Sequence, residues 1–338
     1  MKRLPQRGRK TGQRRRVRRE APAAELPWPT FHFRHGEEPN FTGLPSQDSR
    51  FAYRFVSLLL TCFIIGCTAF PKRVEVPASQ TTVWRGTIDL AESRTFPRGS
   101  HLVIEPGSRL TFSGGSLEVA GRLTARGVTF AGENWTGIVL KGCGLDTLLA
   151  DSTVSGAKIG IQVIGGEPRL EELTLSGNDI GIELRQKSEA TLAGSVISDN
   201  RKVGLFVKDG SAAAVLNNSF EANGRYGAYI FRSTPRRFSG NVFSRHDTAL
   251  MVAYSGSNPE LVDNCFDRNK VAIRVEKAAK PTISGSDISN NDIGISLYRR
   301  ADPLIERNLL ADNGRGIEIA FSSYPEIRQN DFIRNGVA

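Results

Sequence analysis

The sequence is poor in the residues that bind transition metals or form disulfides, with four cysteines, four histidines and two methionines among 338 residues. No cluster that combines His, Met and Cys ligands for a metal is visible among them. The apolar run from Phe55 to Gly66 has twelve residues, which is too short to span a bilayer as a helix. The composition therefore gives no support to a disulfide framework, a metal cluster or a membrane-spanning helix.

The positive charge of the chain is confined to its N-terminal part. The formal net charge is +10, but residues 1–66 hold 13 Lys/Arg and 5 Asp/Glu and so contribute +8. The other 272 residues carry 32 basic and 30 acidic side chains, a net charge of +2. A nearly neutral body lacks the electropositive face that nucleic-acid backbones require, so nucleic acid is an unfavourable partner.

Residues 1–50 form a basic tail without apolar periodicity and are expected to be disordered. Two interpretations stay open for this tail: an arginine-rich arm for RNA, DNA or a membrane surface, or a stretch upstream of the true start. Residues 51–66 then have the charge and apolar run of a signal peptide. A buried strand that happens to end in cysteine is the alternative.

The four residues Ile64 to Cys67 resemble a bacterial lipobox, in which the cysteine is lipidated and becomes the new N-terminus. The resemblance implies a protein anchored at Cys67 to the cell envelope, at the outer membrane or in the periplasm, because Thr68 is not the aspartate of an inner-membrane retention signal. The membrane is then contacted through the lipid alone. Residues 67–97 are expected to form a linker and an N-terminal cap. After removal of the signal peptide, Cys143 and Cys265 would be the only cysteines besides Cys67. They are expected to lie too many coils apart to form a disulfide with each other.

A four-residue pattern of glycine or alanine, an apolar residue, a variable residue and a second apolar residue recurs along residues 137–319. Its nine copies follow one another at intervals of 21 to 23 residues. The alternation predicts a short strand with one face inward and one outward. The variable positions are expected to face outward: Val139, Gln162, Glu183, Phe206, Tyr229, Met251, Arg274, Ser296 and Glu318. Such spacing is typical of a solenoid in which each repeat is one coil.

Polar residues follow the same period. One series comprises Asn178, Asn200, Asn223, His246, Asn269, Asn291, Asn313 and Asn335. A second comprises Ser195, Asn218, Asn241, Asn264, Ser286, Asn308 and Asn330. Stacked coils would align each series into a ladder at a bend, where asparagine tolerates left-handed backbone angles and its amide bonds to the coils above and below. A prolyl series at residues 259, 281, 303 and 325 marks another corner.

These residues resemble the right-handed parallel β-helix repeat family, which includes pectate lyases and carbohydrate-binding and sugar-hydrolysis repeats. The resemblance covers residues 98–338 and implies an all-β right-handed solenoid of about 10–12 coils of 22–23 residues. The stretch "LEELTLSGN" at 170–178 also fits a leucine-rich repeat, but later coils place Asn or Ser at the second leucine, which argues against that fold.

The catalytic strings that the resemblance leads one to look for do not occur. Hydrolases of this fold carry paired aspartates and Gly-His-Gly, and some epimerases and lyases carry Asp-Pro-His-Glu. The best remaining set is Asp247, Lys270 and Asp292 on successive coils, with Arg245, Asp267 and Arg268 beside them. Their interpretation as an acid/base pair competes with that of a solvated turn of alternating charges.

His246 stands in the asparagine series and is interpreted either as a base or metal ligand or as a ladder residue. No second nitrogen ligand is near it in the sequence. This absence also weakens the resemblance to a further member of the wider family, the periplasmic copper-delivery factor of nitrous oxide reductase. The sequence therefore predicts no metal and no cofactor, although a lyase of this family would call for calcium.

A binding surface is predicted on the outward face. Phe206, Tyr229 and Met251 occupy the same position on consecutive coils, Phe231 lies on the same face, and Lys208 and Arg274 flank them. Aromatic rings beside cations suit stacking against sugars, acidic ones in particular. A covering segment or a protein partner is the alternative.

The sequence thus predicts an envelope lipoprotein whose rod binds carbohydrate, a polysaccharide or envelope glycan, or acts as a scaffold. A polysaccharide lyase, glycoside hydrolase or epimerase acting on acidic glycans is the second hypothesis. Because Ala338 falls where the next repeat glycine is due, the pattern also predicts a truncated chain or end-to-end self-association through an open coil edge.

Overall fold

The computed structural model of the protein describes residues 74–75 and 80–337. These residues form 36 β-strands and contain no helix. Accordingly, no membrane-spanning helix candidate occurs within the described ranges. The strands assemble into three parallel sheets of twelve strands each, and every third strand along the chain joins the same sheet. The chain is therefore a parallel β-helix of twelve coils, as the repeat predicted.

The first sheet contains β1 (Val74–Glu75), β4 (Arg94–Phe96), β7 (Ser116–Val119), β10 (Gly137–Lys141), β13 (Ile159–Ile164), β16 (Ile180–Arg185), β19 (Val203–Lys208), β22 (Tyr226–Phe231), β25 (Thr248–Ala253), β28 (Val271–Glu276), β31 (Ile293–Tyr298) and β34 (Arg315–Ala320). The second contains β2 (Thr81–Trp84), β5 (His101–Ile104), β8 (Arg122–Arg126), β11 (Leu148–Ala150), β14 (Arg169–Glu171), β17 (Thr191–Ala193), β20 (Ala214–Leu216), β23 (Arg237–Ser239), β26 (Glu260–Val262), β29 (Thr282–Ser284), β32 (Leu304–Glu306) and β35 (Glu326–Arg328). The third contains β3 (Thr87–Leu90), β6 (Arg109–Phe112), β9 (Thr129–Trp135), β12 (Thr153–Ala157), β15 (Thr174–Ser176), β18 (Val196–Ser198), β21 (Ser219–Glu221), β24 (Val242–Ser244), β27 (Cys265–Asp267), β30 (Asp287–Ser289), β33 (Leu309–Ala311) and β36 (Asp331–Ile333). Coils are numbered 1 to 12 from β1 onwards.

The core is built from the apolar positions that the repeat pattern places inward. In the first sheet Leu205 pairs with Ala228 and Val207 with Ile230, and all four are fully buried. Phenylalanines of the third sheet stack directly on one another inside the rod. Phe243 lies 4.6 Å from Phe220 and 5.0 Å from Phe266 between ring centroids, nearly parallel to both. Each coil thus buries its inward face against the next coil.

The asparagine series form ladders, as predicted. Asn200 Oδ1 accepts hydrogen bonds from the backbone N–H and the Nδ2 of Asn178 at 3.1 and 3.0 Å, and its own Nδ2 donates to Asn223 Oδ1 at 2.8 Å. The second series repeats this pattern, since Asn218 Nδ2 donates to Asn241 Oδ1 at 3.0 Å. Polar groups at buried bends are therefore satisfied by the neighbouring coil, which removes the cost of burying them.

The left-handed backbone conformation lies one residue before each ladder position, which corrects the prediction that the ladder asparagines adopt it. Asp199 and Ala222, which precede Asn200 and Asn223, have φ of 52° and 48°, whereas no ladder residue has a positive φ. The physical reason is that the backbone changes direction at the residue before each ladder position. The asparagine then keeps an ordinary backbone while its amide points into the stack.

Coils approach each other closely at the repeat position near the start of the first-sheet strands, which holds glycine on most coils and alanine at Ala249 and Ala272. A Cβ on Gly181 would lie 2.5 Å from the carbonyl oxygen of Gly204, and a Cβ on Gly204 would lie 2.5 Å from that of Gly227. Both distances are far inside van der Waals contact, so close packing between coils favours glycine at Gly181 and Gly204.

The β-helix begins earlier than the predicted boundary at residue 98. Strands β1 to β4, within residues 74–96, already pair in register with the coils that follow, as Val83 does with Val103. Ser100 and Ser108 close the corners of these first coils by donating from Oγ to backbone carbonyls at 2.6 Å. The sequence signal was missed because these coils contain neither the asparagine series nor the glycine pattern. The basic tail, the predicted signal peptide and Cys67 lie outside the described residues.

Candidate functional site

The outer side of the first sheet carries a group of aromatic side chains on coils 7 to 9, here named the aromatic face. It consists of Phe206, Tyr226, Tyr229, Phe231 and Tyr254, all of them partly exposed. Phe206, Tyr229 and Met251 occupy one register position on β19, β22 and β25, as predicted, because parallel pairing without a shift aligns identical repeat positions. Tyr226 and Tyr254 were not predicted, although Tyr226 begins the same strand as Tyr229.

Tyr229 lies at the centre of the aromatic face. Its ring stacks on Phe206 with a centroid distance of 5.1 Å and an interplanar angle of 12°. It also contacts Tyr226 at 5.2 Å and the edge of Phe231 at 5.9 Å, while Phe231 contacts Tyr254 at 4.9 Å. Burial in this cluster raises the pKa of the Tyr229 hydroxyl, so it stays protonated at physiological pH.

The stacking of Phe206 on Tyr229 reduces the ring surface that a ligand could contact. Phe206 and Tyr229 turn ring faces toward each other, so each ring has a face that is not free for a ligand. Phe231 lies across them, at 67° to Phe206 and 78° to Tyr229. The aromatic face therefore combines ring edges with one crosswise ring.

Met251 is a correction to the predicted surface. It points outward in register, but its exposure is only 5%. Its register neighbours are Tyr229 on one side and Arg274 on the other, and side chains of that size cover a thioether between them. Met251 therefore offers almost no surface to a ligand.

The two cations predicted to meet an acidic ligand are already engaged by carboxylates of the chain. Lys208 Nζ lies 3.0 Å from Glu183 Oε2 and 5.0 Å from the Phe206 ring centroid. Arg274 Nε lies 3.5 Å from Glu276 Oε2, and its guanidinium lies over Tyr298. Glu183 is 4% exposed, so its charge is neutralised locally rather than by solvent.

Two other arginines beside the aromatic rings form no ion pair with any carboxylate of the described residues. The Arg232 guanidinium lies 5.4 Å from the Phe231 ring and 5.1 Å from the Tyr254 ring. Arg299 lies 5.0 Å from the Tyr298 ring on coil 11, three coils beyond Arg232. Cation–π contacts of this kind leave the positive charge available to a ligand. Their position directly after the strand was the sequence signal that could have identified them.

The carboxylate–lysine set lies on an exposed, charged turn. Asp247, Lys270 and Asp292 are all exposed, and Lys270 Nζ lies 2.5 Å from Asp247 Oδ1. The hydrogen bond to Asp247, and then its charge, raise the pKa of Lys270. Arg245 pairs with Glu221, and Arg268 pairs with Asp267 at 2.6 Å. An exposed lysine clamped by one carboxylate is typical of a solvated turn, the second of the two interpretations.

His246 is a ladder residue. It is 3% exposed, Nε2 lies 3.3 Å from Asn223 Nδ2, and Nδ1 lies 3.2 Å from Asn269 Oδ1. Because Asn223 Nδ2 can only donate and Asn269 Oδ1 can only accept, the ring must carry its proton on Nδ1 and be neutral. Burial lowers the pKa of His246 to about 4, in agreement with this requirement. With both nitrogens engaged, His246 offers no lone pair to a metal or a substrate.

Comparison with known families identifies the class of protein. Residues 113–266 match the family described as right handed beta helix region, and residues 221–338 match the family described as periplasmic copper-binding protein (NosD). The first match and the twelve-coil fold together show that the described residues form a right-handed parallel β-helix, the fold expected from the sequence. No curated protein matches the chain.

Solved structures of the same architecture act on polysaccharides according to their names. The A-module of mannuronan C-5 epimerase AlgE6 from Azotobacter vinelandii is 13% identical, with 78% of this chain and 91% of that chain covered and a TM-score of 0.43. An alginate lyase from Paenibacillus sp. str. FPU-7 is 12% identical over 73% and 99%, with a TM-score of 0.46. The periplasmic alginate epimerase AlgG is 11% identical over 75% and 76%, with a TM-score of 0.40. At these values the likeness assigns no substrate to this chain.

The residues of the described coils do not fit a copper site. They contain no group of three or more His, Cys, Asp or Glu side chains arranged to hold a metal ion. Cys143 is buried, its Sγ lies 3.3 Å from the Val119 carbonyl oxygen, and burial raises the pKa of its thiol to about 11, which disfavours the thiolate that binds metals. Cys143 and Cys265 are both free thiols, in agreement with the predicted absence of a disulfide between them. Copper chemistry is therefore not carried over from the family description.

Proposed function

We propose that the β-helix is a carbohydrate-binding rod of the bacterial cell envelope, and that the aromatic face is its glycan-binding surface. The observation that carries the proposal is the cluster of five partly exposed aromatic rings on adjacent coils, bordered by Arg232 without a carboxylate partner. Exposed aromatic groups of this extent mark interaction sites on soluble proteins. Adjacent coils of a parallel sheet are spaced by ~4.8 Å, close to the length of a sugar ring, so a glycan along the rod would meet one coil per sugar.

The charge of the face favours an acidic glycan. Lys208 and Arg274 are paired with Glu183 and Glu276, so Arg232 and, three coils on, Arg299 are the arginines beside the aromatic rings that have no carboxylate partner among the described residues. A guanidinium pairs with a carboxylate through two parallel hydrogen bonds, which suits uronic-acid residues. A neutral glycan would leave both charges uncompensated.

The envelope location of the proposal has two supports. Residues 221–338 match a family described as periplasmic, and residues 54–67 have the pattern of a lipoprotein signal. Attachment through a lipid on Cys67 would place the rod at the membrane surface, where envelope glycans are found. The proposal includes no cofactor.

Binding to polygalacturonate, alginate and a neutral glucan by the full chain tests the proposal, with and without calcium. We expect the acidic polymers to bind and Tyr229→Ala to weaken their binding by ~1–2 kcal/mol, or roughly 5- to 30-fold in Kd, because Tyr229 contacts three other rings of the face. Tyr324→Ala is the matched control, since Tyr324 is 77% exposed and lies on coil 12.

Two outcomes would contradict the proposal. Equal losses for Tyr229→Ala and Tyr324→Ala would show that the aromatic face is not the binding surface. Release of unsaturated, hydrolysed or epimerised products would show that the chain is a lyase, hydrolase or epimerase, the second hypothesis drawn from the sequence, and not a binding rod.

A further inference from the structure

A second concave surface lies on coils 2 to 4, away from the aromatic face. It is a cavity of about 560 Å³ at the corner between the first and second sheets. Its charged and titratable lining residues are Arg98, His101, Arg122 and Asp146, and glycines and small residues form the rest of its wall. This volume lies within the range of small-molecule sites.

Arg98 is the first unusual feature of this cavity. It is exposed, follows β4 in the turn, and forms no hydrogen bond or ion pair with any described residue. Its guanidinium nevertheless reaches two coils along the rod, because Nη2 lies 3.6 Å from the position that a Cβ on Gly142 would occupy. Gly142 itself has a φ of 62° and no side chain, so the guanidinium lies directly over backbone. A cation without a partner is therefore placed over the wall of the cavity.

Arg122 faces the same cavity in a fixed orientation. Its Nε donates to the backbone carbonyl oxygen of Asp146 at 3.2 Å and lies 3.7 Å from the Asp146 carboxylate. Its two terminal nitrogens have no hydrogen-bond partner among the described residues. Because Arg122 is held through Nε, its two terminal nitrogens remain free to donate. These are the donors with which a guanidinium forms two parallel hydrogen bonds to an oxyanion.

His101 is the third of these lining residues, and it pairs in register with Arg122 on the adjacent coil. Its Nε2 lies 2.9 Å from Thr124 Oγ1, so the second ring nitrogen is left for a ligand. Burial, and then the charge of Arg122, lower the pKa of His101, so the ring is neutral at pH 7. With His101 neutral, two arginines and one aspartate give the cavity a net charge of +1.

We propose that this cavity binds a phosphate group, through Arg98 and Arg122 from two sides and His101 from a third. Phosphate is favoured over carboxylate because Arg98, Arg122 and His101 line one cavity with unpaired donors, and phosphate offers more acceptor oxygens and nearly two negative charges. The cavity is larger than a phosphate ion, so either inorganic phosphate or a phosphate monoester on a sugar fits it. The site is independent of the aromatic face.

Calorimetric titration of the full chain with inorganic phosphate, glucose 6-phosphate and glucuronate tests the site. We expect phosphate or the ester to bind at least about tenfold more tightly than glucuronate, and Arg98→Ala or Arg98→Gln to weaken binding on the order of tenfold or more. Tighter binding of glucose 6-phosphate identifies an ester as the ligand, and equal binding identifies the phosphate ion alone; both support the site.

Arg109→Ala is the matched control, because Arg109 is exposed on the third sheet of the same coil and does not line the cavity. Circular dichroism and thermal melting establish that the Arg98 variants remain folded, as expected for an exposed side chain. Preferred binding of glucuronate, no phosphate binding at millimolar concentration, or unchanged affinity in both Arg98 variants would each overturn the proposal. None of these results bears on glycan binding at Tyr229.

Discussion

The ladder position of His246 makes the stability of the rod sensitive to acid. Protonation would add an N–H at Nε2, which then faces the amide N–H₂ of Asn223 at 3.3 Å, so two donors would oppose each other. The side chain is 3% exposed, so water cannot relieve this clash. The folded state therefore keeps the ring neutral, with a pKa of about 4 against 6.5 in the unfolded chain.

The sign and size of the effect follow from linkage. Between about pH 6.5 and pH 4 the unfolded chain binds a proton at residue 246 and the folded chain does not, so stability falls as the pH falls through this window. A pKa difference of one corresponds to about 1.4 kcal/mol, so full protonation of the unfolded state costs about 3 kcal/mol. From pH 7 to pH 4.5 the loss due to His246 is about 2 kcal/mol.

The substitution His246→Asn isolates this contribution, because it restores the asparagine ladder without a titrating group. We expect the variant to match the unsubstituted protein within about 1 kcal/mol at pH 7 and to exceed it by about 2 kcal/mol at pH 4.5, measured by urea unfolding at both pH values. All other titrating groups are shared by the two proteins, so their effects cancel in the comparison.

His101→Asn is the matched control, since His101 is the other histidine in the described residues and is only partly buried. Its removal should change the pH dependence less than removal of His246 does. The reasoning about the ladder would be refuted by an identical loss of stability on acidification in His246→Asn and in the unsubstituted protein. Titration of the His246 ring above about pH 6, followed by NMR, would refute it as well.

The remaining predictions concern the core and the anchor. Ile273→Asp should abolish folding, because Ile273 is fully buried inside the rod and a charge there costs more than about 4 kcal/mol. Tyr229→Ala should lower the melting temperature through the loss of its ring contacts but leave the protein folded with an unchanged circular dichroism spectrum, because its side chain lies on the outer face. If the two variants unfold equally, the inward and outward faces are assigned wrongly. Cys67→Ala should abolish membrane partitioning in fractionated cells; a mature N-terminus upstream of residue 50 together with a cytoplasmic location would contradict the lipoprotein signal.

Much of the fold could be predicted because, in a solenoid, the repeat length in the sequence fixes which residues contact each other on adjacent coils. Residues one repeat apart are neighbours in space, so aligning the glycine pattern was enough to place Phe206 beside Tyr229 and Asn200 beside Asn223. The alternation of apolar and variable positions gave the inward and outward faces. Coils 1 to 3 lacked the pattern, and residue 98 was consequently the wrong boundary for the β-helix.

The candidate sites were less predictable, because they depend on which side chains meet across coils and on how they share charge. Sequence position placed Lys208 and Arg274 on the correct face, but their ion pairs with Glu183 and Glu276 depend on side-chain reach. The cavity at Arg98 was not predicted, because two of its three coils carry no repeat signal and its lining residues come from turns outside the repeat pattern.

The sequence by itself determined the coil, its period, the polar ladders and the direction of each strand side chain, because parallel in-register stacking turns a sequence interval into a contact. Only the tertiary structure decided what that surface can do. It buried Met251 beneath its neighbours, turned the Phe206 and Tyr229 rings toward each other, and left Arg98 and Arg232 without carboxylate partners. Exposure, ring orientation and charge pairing depend on the volumes and reach of side chains from several coils at once, and no single repeat encodes them.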